Sequence, residues 1–96
     1  MNARMKPTMT NQERLVLFCL QAWGGQTFED LARRLESKAP HYLRRTIEIM
    51  VLRGQIYLET LDNANLYYST AHRDEKAVLP DGYFVEHSTG VLIKDL

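Results

Sequence analysis

At Gly54 the hydrophobic period of the chain changes, and that change limits the fold more than any other feature. Before it, Leu43, Ile47, Met50 and Val51 fall at 0, +4, +7 and +8, the core stripe of an amphipathic helix. After it, QIYLETL and LYYST alternate apolar and polar residues around Asp62-Asn63-Ala64-Asn65. That pattern predicts two strands joined by a polar four-residue tip. A helix that runs into a hairpin at a glycine calls for a mixed α+β fold, in which each element buries its apolar face against the others.

Two further helices are expected upstream. Thr10 followed by Glu13 has the spacing of a capping box, and LVLFCLQAW then runs to Gly24-Gly25, a natural stop. Thr27 and Asp30 repeat the spacing with a shorter acid. Phe28, Leu31, Ala32 and Leu35 then share one face, while Arg33, Arg34 and Glu36 point away, over about ten residues. Ser37-Lys38-Ala39 forms a turn, and Pro40 suits the first position of a third helix, where its missing N–H costs nothing. Downstream, Pro80-Asp81-Gly82 reads as a turn, and YFVEH and VLIKDL read as a second hairpin across Ser88-Thr89-Gly90. A helical reading of AHRDEKAVL stays open.

A chain of 96 residues makes one domain with one small core. No apolar run reaches the length needed to span a bilayer, and MNARMKPTMT lacks the apolar segment of a secretory signal. The single cysteine, Cys19, lies within LVLFCL and reads as a small buried hydrophobe. A reducing cytoplasm is the expected location, with no membrane contact. Net charge is zero, but from Arg33 to Arg53 six bases face two acids, and from Gly54 to Leu96 three bases face seven acids. The positive charge is therefore local.

FEDLARRL followed by LRRTIEIMVLRGQI, with Leu43, Ile47, Met50, Gly54 and Ile56 at their spacing, resembles a winged helix-turn-helix domain over about residues 10–70. The resemblance implies three helices and a β-hairpin wing, with residues 71–96 as a short C-terminal β or irregular extension. That extension would pack on the domain or form a dimer contact. The family's usual function is sequence-specific binding of double-stranded DNA in transcription regulation. The third helix, about residues 40–53, would enter the major groove. His41, Tyr42, Arg44 and Arg45 would face bases and phosphates. Arg34 and Lys38 would reach phosphate, and Asn63 and Asn65 at the wing tip would touch the backbone or minor groove.

A competing reading makes these residues a solvated face. The domain would then be a winged-helix protein–protein interaction module that binds no nucleic acid. Pairing of Glu36, Glu48 or Glu59 with Arg44 and Arg45 would favour it. The wing favours it too, since no lysine or arginine lies between Gln55 and His72 while Glu59 and Asp62 do. Ile49 and Leu52 lie off the core stripe and need a cover, for which YFVEH, VLIKDL or a second subunit are the candidates. Together with Phe84, Val91 and Ile93 they are the expected contact with a second copy or another regulatory protein.

No enzyme is expected. His41, His72 and His87 lack metal-ligand spacing, no phosphate-binding glycine loop occurs, and no acid–base pair stands out. Neither metal nor cofactor is implied. Trp23 reads as core, and Tyr57, Tyr67 and Tyr68 as cross-strand packing.

Overall fold

The computed structural model describes residues 9–70 and 77–94. Helix α1 (Asn11–Trp23), α2 (Phe28–Arg34) and α3 (Pro40–Leu52) precede an antiparallel hairpin of β1 (Ile56–Leu61) and β2 (Ala64–Ser69). A second antiparallel hairpin follows, of β3 (Tyr83–Glu86) and β4 (Val91–Lys94). The fold is α+β, with an element order compatible with a winged helix.

Both helix starts form as expected. Thr10 Oγ1 accepts from the Glu13 N–H at 3.1 Å, and Glu13 Oε1 accepts from the Thr10 N–H at 3.1 Å. At Thr27 the shorter aspartate reaches less well, and the Thr27 N–H lies 3.4 Å from Asp30 Oδ2. Helix α2 is seven residues long rather than about ten, because Leu35 already caps it and Glu36 takes a positive φ of 47°. Helix α3 ends in a Schellman motif. The Gln55 N–H donates to Met50 O, the Gly54 N–H donates to Val51 O, and Gly54 has φ +76°.

Leu15, Val16, Leu17, Cys19 and Leu20 of α1 meet Leu31, then Leu43, Ile47 and Met50 of α3, then Ile56 and Leu92. The third helix corrects one expectation. Val51 is exposed, and the buried position is Thr46 instead, whose hydroxyl donates to Gln12 Oε1 at 2.8 Å. A hydroxyl is tolerated there because an acceptor on α1 satisfies it. At the far end of the same helix, Arg53 pairs with Glu13 at 3.1 Å. Glu13 is buried, so one carboxylate caps α1 and ties it to the end of α3.

The first hairpin has a two-residue tip, not four. Leu61 pairs with Ala64, leaving Asp62 and Asn63 as the turn, with φ of 49° and 65°. Two successive positive φ values mark a type I′ turn, whose twist matches that of the strands. Gln26, between α1 and α2, adds a one-residue bridge to β2, exchanging two backbone hydrogen bonds with Tyr67 at 3.1 and 2.8 Å. Gly25 lets this happen, because a Cβ there would lie 2.6 Å from the Tyr68 ring. The second hairpin forms across residues 87–90 as expected, after a turn in which the Tyr83 N–H donates to Pro80 O. Residues 77–80 are not helical, and the rest of AHRDEKAVL lies outside the described residues.

Candidate functional site

Helix α3 presents its solvent face from its first turn onward. His41, Tyr42, Arg44, Arg45 and Glu48 are all exposed, as is Lys38 in the preceding turn. The cause is the period of the helix. Leu43, Thr46, Ile47 and Met50 occupy the buried stripe, so the intervening positions must face outward. Ala39 holds the N-cap, where it makes no side-chain cap, and no acid occupies the first turn. The positive end of the helix dipole is therefore joined by Lys38 rather than neutralised, and Arg44 and Arg45 follow one turn along. Such a surface attracts anions, phosphate in particular.

The two arginines differ in their surroundings. The Arg44 guanidinium lies over the Phe28 ring, 4.0 Å from its centroid. Among the described residues Arg45 has no such platform. Among the described residues, neither is ion-paired with Glu36, Glu48 or Glu59. The pairing that would have neutralised this face is absent there.

Arg34 departs from its expected place. It turns inward over the Trp23 ring at 4.0 Å, donates from Nε to Gln26 Oε1 at 2.8 Å, and donates from Nη1 to Gly90 O at 2.9 Å. Arg33 donates to Thr89 O at 3.2 Å. The second hairpin thus docks on α2 through the turn between its strands. Two of the five Arg34 donors are thus committed inside the protein, which turns the side chain away from the place expected for a phosphate contact.

Both asparagines of the wing are exposed: Asn63 in the turn, and Asn65 on β2, where its Oδ1 accepts from Thr60 Oγ1 at 2.7 Å. The tip also carries Asp62, and Glu59 lies exposed on β1.

The residues expected at a dimer contact are likewise divided. Leu52 is 87% exposed and Phe84 46%, while Ile49 and Ile93 are half-buried. Val91 is buried within the protomer at 9% exposure and leaves that set. The second hairpin faces α2, so it does not cover Leu52.

Three features escaped sequence reasoning: the Gln26 bridge, the Phe28–Arg44 stack and the inward Arg34. Each joins segments far apart in the chain, and no local spacing announces them. Among the described residues no cluster of three or more His, Cys, Asp or Glu could hold a metal ion, and no helix is long and apolar enough to cross a membrane. No protein-family model and no curated relative matches the chain.

Proposed function

We propose that this chain is a small winged-helix regulator of transcription that binds double-stranded DNA through α3. One observation carries the reading: Arg44, Arg45 and Lys38 stand exposed, without carboxylate partners among the described residues, around an uncapped helix N-terminus. Three helices followed by a hairpin suit it, because a helix backed by such a core can enter the major groove as a rigid unit. Arg45 and Lys38 would hold phosphate, His41 and Tyr42 would lie along the groove, and Arg44 would meet bases. A second copy would place two such helices on half-sites about one helical turn apart, with Leu52 and Phe84 as contact residues.

A second reading rests on the apolar part of the surface. Leu52, Leu58, Leu61 and Phe84 are exposed apolar side chains, and the wing beside them is acidic. A module that docks another protein fits those features better than it fits the basic face.

Fluorescence anisotropy on mixed-sequence duplex DNA, at low and moderate salt, separates the two. For DNA binding, the wild type binds, weakens steeply with salt, and loses binding in Arg44→Ala/Arg45→Ala with circular dichroism unchanged. No binding at low salt would sink the DNA reading and leave the protein–protein module.

A further inference from the structure

Among the described residues, two arginines sit over aromatic rings, each with its guanidinium carbon 4.0 Å from the ring centroid, and their donors have opposite fates. Arg34, on Trp23, gives Nε to Gln26 and Nη1 to Gly90 O. It is a structural clasp. Arg44, on Phe28, finds no acceptor among the described residues. A phenyl ring offers no lone-pair acceptor, so it holds the guanidinium without occupying its N–H donors. The N–H groups therefore stay available, in the planar fork that matches O6 and N7 of guanine.

The platform is held from several sides. Phe28 is half-buried and packs against the core. It is the first residue of α2, directly after the Thr27 capping box, and Thr27 follows the Gln26 bridge to β2. Arg44 is fixed at its other end, because its neighbour Leu43 is fully buried. Both partners thus enter any encounter already placed, which lowers the ordering cost of binding. Among the described residues Arg45 has no such restraint, and it suits a phosphate, which demands charge more than orientation.

Resting on the DNA-binding reading above, we infer that Phe28 is a positioning residue that presents Arg44 edge-on to a guanine, so that Arg44 rather than Arg45 sets sequence preference. The test uses the full chain. Duplexes are first selected from a random-sequence pool by the wild type. Affinity is then measured on the selected duplex and on the same duplex with its conserved guanine replaced by 7-deazaguanine, which lacks N7.

Phe28→Leu is expected to lose about threefold of that preference, the scale of an exposed cation–π contact, while salt-dependent binding to unselected DNA persists. Phe28→Tyr, which keeps the ring, is expected to restore the preference. Arg44→Lys is expected to abolish it. Arg45→Ala is expected to weaken both duplexes alike. Thermal unfolding checks that each variant is folded. A Phe28→Leu protein that keeps the full guanine preference overturns this inference and leaves DNA binding standing. So does a wild type that binds DNA but selects no sequence. A wild type that binds no DNA at low salt overturns both readings together.

Discussion

The tightest tolerance at the scale of one residue lies at Gly25. Its backbone needs no positive φ, so alanine would be conformationally acceptable there. Space is what forbids it, since an added Cβ would sit 2.6 Å from Tyr68 Cζ. Swinging the ring away would disturb its stack on Tyr57, whose centroid lies 5.3 Å from its own. Gly25→Ala is therefore expected to cost about 1–3 kcal/mol in urea unfolding, the usual scale of overpacking. Most of that cost should vanish in a Tyr68→Ala background, where the two changes share one cause. Equal costs in both backgrounds would show that the clash is not the reason for the glycine. Cys19 obeys a different constraint. Burial pushes its thiol from 9.0 to about 12, against a smaller opposing pull from the Arg34 charge. The folded pKa is raised, so the associated stability is complete below pH 9.0 and is lost as pH rises toward 12. Between about pH 8 and about pH 11, the wild type should lose more urea stability than Cys19→Ala does. An equal loss in both proteins would mean that other groups dominate the alkaline limb.

At the scale of elements, α2 is the hub, though it is the shortest helix. Its Arg33 and Arg34 hold the turn of the second hairpin, and Arg34 also grips Gln26, whose backbone carries β2. Gly90 is part of this clasp, because a Cβ there would meet Arg34 Nη1 at 2.5 Å. Arg34→Met keeps much of the apolar stem over Trp23 but removes every donor. Hydrogen exchange should then rise first in β3 and β4, next at the Gln26–Tyr67 bridge, and least in α1 and α3. Uniform acceleration across all elements would instead mean global destabilisation. The clasp also marks the limit of what could be read from the chain alone. Capping boxes, the glycine stop after α3 and the two hairpins were legible because each is a local pattern of a few residues. The inward turn of Arg34 was not, since Trp23, Gln26 and Gly90 decide it from three separate segments. Val51 failed for a related reason. Periodicity allowed either Val51 or Thr46 on the buried face, and the Gln12 acceptor on α1 tipped the choice to threonine. The wing tip was read too long because alternation cannot show that Asp62 and Asn63 both accept the left-handed region. On the candidate face, the exposed arginines were foreseen, whereas the Phe28 platform beneath one of them was not.

For the whole molecule, charge is distributed rather than absent. Residues from Arg33 to Arg53 carry four net positive charges, residues from Gly54 to Leu96 carry four net negative ones, and the sum over the chain is zero. Non-specific DNA affinity follows the local term, because screening confines each patch to about 10 Å at ordinary ionic strength. With Arg33, Arg34 and Arg53 bonded internally, Lys38, Arg44 and Arg45 remain as the cations of the proposed face. Two or three phosphates per copy give a plot of log affinity against log salt with a slope of about −2 to −3, and two copies bound together give about −4 to −5. The slope thus reports how many copies engage, and a slope near zero would exclude this face as the contact. The acidic wing allows one further check. If the tip lies over the sugar–phosphate backbone, Asp62 opposes binding there. Asp62→Lys should then raise affinity and steepen the slope by about 1 per copy, while the guanine preference set at Arg44 stays unchanged. An unchanged slope with Asp62→Lys would place the tip away from the duplex and leave α3 as the whole of the contact.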